Sequence, residues 1–134
     1  MKNIEKKISE FFEDRPEIIA VYLYGSMVTG KIHSESDIDI AVLFDRQKIP
    51  SPYELLDLQS NLGEFLNKET DLICLSEVSP ILQKQVITKG KQIVVNEQHL
   101  LNHFIIKSFT DYVDLKIVRE PIERYFANRR VLNG

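Results

Sequence analysis

Gly25-Ser26 stands ten residues ahead of an acidic doublet, Asp37-Ile38-Asp39, and a further acid, Asp71, lies at the start of a later apolar run. Carboxylates gathered in this way repel one another until protons or divalent cations offset their charge. Magnesium suits them, because it takes hard oxygen ligands, keeps several waters and completes its octahedron with substrate phosphates. A glycine lets backbone N–H groups approach a phosphate, and a serine hydroxyl at the start of a helix adds a donor where the helix dipole favours anions. Carboxylates for metal beside a Gly-Ser turn for phosphate suit in-line displacement at a nucleotide phosphorus, with two cations steadying the attacking and leaving oxygens. Asp71 is the candidate to bind the catalytic metal and help deprotonate an incoming hydroxyl. With Gly near 7% of residues and Ser and Asp similar or lower, a GS-x10-DxD pattern arises in about one random chain of this size in a thousand. The competing reading is structural: a Gly-Ser turn, followed by a half-exposed strand that begins with acids.

These residues need strands to carry them. Residues 18–24 read as a first strand and residues 38–44 as a second, so the Gly-Ser pair ends one and the acidic doublet begins the next. Residues two apart on a strand share a face, so Asp37 and Asp39 project together while Ile38, Ile40 and Val42 pack the other way. Ahead of them, residues 3–14 space Ile4, Ile8, Phe11 and Phe12 as a helix ending before Pro16. Residues 27–36 are small and polar and predict a short helix after Ser26 that Gly30 helps to end. Ser51-Pro52 caps and opens the clearest helix, with Tyr53, Leu55, Leu56, Leu58, Leu62, Phe65 and Leu66 largely on one stripe. A third strand is expected over 70–75, a helix from Ser79-Pro80 to about Lys89 stopped by Gly90, and a fourth strand over 91–95. From about Glu97 the pattern is helical through Leu101, Phe104, Ile105, Phe109, Tyr112 and Val113, with a kink or break expected at Pro121. Phe104, Ile105, Phe109 and Tyr112 are expected mostly to cover the sheet.

Strands alternating with helices predict an α/β fold, a sheet covered by helices. If the first two strands are antiparallel neighbours, Gly25-Ser26 and Asp37 meet at one edge of the sheet. The helix after the second strand is long enough for a parallel crossover, which would carry Asp71 to that same edge.

Size and composition narrow the setting. A chain of 134 residues matches one domain, with a core over about 18–95 and C-terminal helices over about 97–130, and buries enough surface to fold without disulfides or structural metal. Its 43% hydrophobic and 28% charged residues exclude a disordered chain. A net charge of -3 argues against a general nucleic-acid binder. The charge is unevenly placed: from Lys116 onward five basic residues face two acidic ones, leaving the first 115 residues at -6. Cys74, the single cysteine, lies in an apolar run and reads as a buried thiol. No segment is long enough to span a membrane and none resembles a signal peptide, so a reducing cytoplasm is the expected location. His99 and His103 could share a helix face at i,i+4, but they lie far along the chain from the acids, and a solvated or partner-facing role is expected rather than zinc.

The quoted residues, Gly25-Ser26, the spacing of ten, Asp37-Ile38-Asp39 and Asp71 on a later strand, resemble the nucleotidyltransferase superfamily that includes DNA polymerase beta and kanamycin nucleotidyltransferase. A chain this short resembles the minimal nucleotidyltransferases (MNT), the antitoxins of HEPN-MNT toxin-antitoxin pairs. The resemblance covers residues 18–95 well and the C-terminal helices loosely. It implies a mixed four-stranded sheet of the polymerase beta type, with Asp37, Asp39 and Asp71 as catalytic and metal-binding residues and Gly25, Ser26 and Ser36 on the nucleotide. It also implies transfer of AMP from ATP, with two Mg2+ ions, to a tyrosine hydroxyl of a partner HEPN ribonuclease, held in a hetero-oligomer and silenced. Many members follow the Gly-Ser pair with a basic residue, where this chain has Met27 and Val28. Two other activities fit the same motif: nucleotidyl transfer to a small hydroxylated molecule such as an aminoglycoside, and a non-catalytic antitoxin acting by binding alone.

Overall fold

The computed structural model describes residues 2–25 and 37–133. The short helix expected after Ser26 lies outside the described residues. The chain opens with α1 (Lys2–Phe12), whose Ile8 and Phe12 are fully buried. Just past its end Arg15 Nε donates to the last-turn Phe11 carbonyl at 3.0 Å and its guanidinium lies 4.4 Å from the Phe11 ring centre. Strand β1 (Ile18–Tyr24) follows, then β2 (Ile38–Phe44), both rich in β-branched and aromatic side chains and buried along nearly their whole length.

Helix α2 (Pro52–Leu66) starts on a reciprocal cap: the Ser51 hydroxyl accepts from the Glu54 N–H at 3.2 Å and the Glu54 carboxylate accepts from the Ser51 N–H at 3.0 Å. Hydrogen bonds to its carboxylate, first from the Ser51 N–H and then from the Ser51 side chain, hold the exposed Glu54 carboxyl below its ordinary pKa. Asn67 ends the helix in the left-handed region, at φ 53°. Strand β3 (Thr70–Cys74) is one residue shorter than the apolar run predicts, because Leu75 turns into a single 3-10 turn, Leu75–Glu77. Ser79 caps α3 (Pro80–Lys89), and β4 (Lys91–Val95) follows directly after Gly90. Gly90 has no room for a side chain, since a Cβ there would collide with the Val86 carbonyl and sit 3.2 Å from the Leu23 carbonyl.

The sheet order is β3-β2-β1-β4. β1 is antiparallel to both β2 and β4, and β2 is parallel to β3, which the α2 crossover permits. Two apolar layers cover the sheet. On one face Ile38, Ile40, Val42 and Phe44 of β2 pack with Ile8, Phe12, Leu62 and Leu66 from α1 and α2. On the other, Ala41 and Leu43 pack with Tyr22, Val86 and Leu101, beneath α3 and the last helix. A register shift between Ile18 and Ala20 puts Ile19 and Ala20 on the same face, an irregularity that the apolar run concealed.

The last helix, α4 (Gln98–Asn133), is one element where several were expected, and it runs through Pro121 without ending. A proline removes one N–H from the ladder, but the bonds before and after it remain and here hold the helix. Phe104 and Ile105 pack on the sheet as expected, and Tyr112 is half-buried with the Lys84 ammonium 5.0 Å from its ring centre. Phe109 departs from expectation: it is exposed and belongs to neither of the apolar layers on the sheet. Among the described residues no helix is long and apolar enough to cross a membrane.

Candidate active site

Register places the acids. Tyr24, the last residue of β1, stands opposite Asp39, and Asp39 stands beside Asp71 on β3. The strict alternation of β2 sends Ile38 and Ile40 into the α1–α2 layer, so Asp39 lies on the other face, the one it shares with Tyr24. Asp37 sits one step beyond the strand, exposed, and Asp71 is exposed at the start of β3. The expected convergence of Asp37, Asp39 and Asp71 at one sheet edge is what the chain builds.

Gly25 closes this edge from the β1 side. Its φ of +78° is a left-handed conformation that side chains resist, and a Cβ there would collide with Asp39 Oδ2 and lie 3.2 Å from its Cγ. Glycine is required twice over at this position, by conformation and by space. Ser26 and Ser36, the other two residues expected at the nucleotide, lie outside the described residues, as do Gly30, Lys31 and His33.

The electrostatics report crowding. Burial raises the Asp39 carboxyl above the ordinary carboxylate value, and the charges of Asp71 and then Asp37 raise it further. Tyr24 is pushed up to about 12 by its own burial, then by Asp39 and Asp71. Among the described residues no Lys, Arg or His forms an ion pair with these acids. Lys91, which the register brings opposite Leu23, instead meets Glu5 of α1 at 2.6 Å. Three carboxylates and a phenol, with no described basic side chain paired to the acids, form a donor set suited to a hard divalent ion. Among the described residues no three such side chains close into a complete metal cage. An ion that keeps waters and substrate phosphates among its ligands needs no such cage.

Two positioning residues escaped the sequence reading. Tyr24 directly precedes the Gly-Ser pair, and its place beside Asp39 becomes visible only once the β1–β2 register is known. Gln59 of α2 donates no sequence signal at all: its Oε1 accepts from the Leu72 N–H at 2.9 Å and ties β3 down next to Asp71. His99 and His103 are exposed on α4 with ring centres 5.9 Å apart, away from the acids. A wide cleft among the described residues lies elsewhere, lined by Leu43, Arg46, Ser76, His103 and Lys107 at the other end of the sheet. Two pairs of its polar groups bond to each other, Ser108 with Gln83 at 2.7 Å and Lys107 with Asp111 at 2.8 Å, and it offers no comparable cluster of acids among the described residues.

A strand-borne pair of acids, a third on a parallel neighbour and a glycine turn against them are the marks of a nucleotidyltransferase. Residues 6–99 match the family described as Polymerase beta, Nucleotidyltransferase. The chain belongs to that family and, within it, to the minimal nucleotidyltransferases of the MntA type. It is 35% identical over 120 residues to the protein adenylyltransferase MntA of Shewanella oneidensis, covering 88% of this chain and 84% of that protein. A chain from a crystal structure of a toxin-antitoxin with AMP-PNP superposes with a TM-score of 0.78 at 32% identity, over 92% of this chain and 98% of that one. A chain from the complex of tri-AMPylated Shewanella oneidensis HEPN toxin with MNT antitoxin superposes at 0.74 with 29% identity, over 94% and 98%.

Proposed function

We propose that this chain is an antitoxin that transfers AMP from ATP to a tyrosine hydroxyl of a cognate HEPN ribonuclease toxin, neutralising it within a hetero-oligomer in the cytoplasm. The observation that carries the reading is the row Tyr24, Asp39 and Asp71, one residue from each of three adjacent strands, with Asp37 at its rim and Gly25 closed against Asp39. The relatives supply the substrate class: one is named a protein adenylyltransferase, and the matched structures hold AMP-PNP in one case and a tri-AMPylated HEPN toxin in another.

The reaction is a displacement at the α-phosphorus of ATP. The tyrosine oxygen forms the new O–P bond, the bond from that phosphorus to the bridging oxygen breaks, and pyrophosphate leaves. Asp37, Asp39 and Asp71 are the residues that would hold magnesium, whose charge polarises the phosphoryl oxygens and offsets the negative charge on the leaving group. Asp71, exposed at the strand start, takes the proton of the incoming phenol. The Gly25 turn, with Ser26 and Ser36, receives the triphosphate, and the bare glycine lets the backbone approach it closely. Tyr24, with a pKa of about 12, keeps its proton at neutral pH and so adds no further negative charge beside Asp39 and Asp71.

Incubation of the chain and the HEPN protein with magnesium and labelled ATP tests this. Label appears on the HEPN protein and is lost with Asp39→Ala. Label on neither protein overturns the reading. If Asp37→Ala protects cells from the toxin as fully as the unaltered chain does, neutralisation proceeds by binding alone.

A further inference from the structure

Helix α4 carries two apolar faces, and the sheet uses only one of them. Leu101, Phe104, Ile105 and Ser108 turn inward. Ile106, Phe109, Val113 and Ile117, spaced three, four and four residues apart, form a second stripe on the opposite side, with exposures of 67%, 38%, 50% and 64%. From Val113 onward every described side chain except Leu115 is exposed. At 1.5 Å per residue the helix is about 54 Å long, and in its second half the described side chains are mostly exposed. A helix that lacks tertiary cover is marginal in water, and a continuous exposed apolar stripe marks an interaction site.

We propose that this stripe is the surface on which the HEPN toxin docks; the inference rests on the adenylyltransferase reading above. Two observations select that occupant. The family profile ends at residue 99, yet the match to the toxin-antitoxin chain spans 92% of this chain and therefore extends well into α4. The helix is thus shared with an antitoxin from such a complex although it lies outside the nucleotidyltransferase profile. Charge supplies the second: from Val113 to the end, Lys116, Arg119, Arg124, Arg129 and Arg130 outnumber Asp114, Glu120 and Glu123. An apolar stripe that runs on into a basic end of the helix fits a partner helix with an apolar face and an acidic rim, and it disfavours a second copy of α4 laid parallel upon it.

The test is the double variant Ile106→Glu/Ile117→Glu in the full chain. Both positions are exposed and glutamate is a good helix former, so the fold should survive. Leu56→Glu, an exposed apolar position on α2, is the control. Binding to the HEPN protein is measured by calorimetry, and binding of ATP with magnesium to the isolated chain is measured separately. The expected result is at least a tenfold loss of toxin affinity in the double variant, unchanged ATP affinity and no loss in the control. If the unaltered chain labels the toxin and the double variant still binds it within twofold, the docking surface is wrong while the enzymatic reading stands. If the double variant converts a dimeric free chain to a monomer and leaves toxin binding intact, the stripe joins two copies and the proposal fails. If the unaltered chain neither binds nor labels the HEPN protein, both readings fall together.

Discussion

At one end of the sheet Asn96 Nδ2 donates to the Ile18 carbonyl at 3.0 Å, the Asn96 N–H to the Ile19 carbonyl at 2.8 Å and the Asp45 N–H to the Glu17 carbonyl at 2.9 Å, whereas at the other end Asp37, Asp39 and Asp71 crowd one another, and no basic side chain among the described residues pairs with them. The first end is stitched: backbone groups that leave the ladder find partners at once. The second end is frustrated, and its acids repel. Both sit on one sheet with an apolar layer on each face, and those layers hold the strained end in place. On the proposed reading, stability and function are separated along the strands: the stitched end and the apolar layers hold the fold, and the acid end carries the repulsion.

That contrast is sharpest at Asp39. We expect Asp39→Asn to cut AMP transfer by about a thousandfold, or about 4 kcal/mol of transition-state stabilisation, while raising the Tm of the cation-free chain at neutral pH. The sign follows from its raised pKa. The folded state holds this proton more tightly than the unfolded chain, so the group's contribution is full below the ordinary carboxylate pKa and is lost as pH rises through the raised value. Thermal melts across that window should show a shallower pH dependence in the variant. A variant less stable than the unaltered chain at neutral pH would break the comparison.

Gly25→Ala should be the next largest change. The positive φ costs about 1–2 kcal/mol for a residue with a Cβ, and the methyl group displaces the Asp39 carboxylate, so transfer falls by tenfold or more with only a modest drop in Tm. Magnesium should act in the opposite direction: at a hundredfold excess over its dissociation constant it stabilises the unaltered chain by about 2.7 kcal/mol, and Asp39→Asn should show much less of this rise. Asn96→Ala probes the stitched end. It should cost about 1 kcal/mol in urea melts, the worth of one hydrogen bond, and leave the rate of AMP transfer unchanged. A loss of transfer there would show that the two ends are coupled.

Much of this was legible in the residues because the signals were local. The run of Ile18 to Tyr24, the run of Ile38 to Phe44, the Ser51-Pro52 cap and the Ser79-Pro80 cap each fix an element from within a few neighbours. The arrival of Asp71 at the same sheet edge as Asp37 was legible from the length of the crossover. The continuity of α4 through Pro121 was not legible, since a single missing N–H decides nothing when the surrounding turns are intact. Nor was the division of α4 into two apolar faces: Phe104 and Phe109 look alike in a sequence, and only the position of the sheet says which one it covers.

The sequence by itself determined the donor set, namely three carboxylates and a glycine turn at strand ends, because residue type and spacing are enough to specify which chemistry is available. Tertiary structure alone decided how tightly that set is drawn. The register brings Tyr24 and Asp71 to either side of Asp39, and the left-handed turn at Gly25 leaves no room for a methyl group beside its carboxylate. Those contacts join residues far apart in the chain, through hydrogen-bonded pairing and close packing that no local pattern encodes.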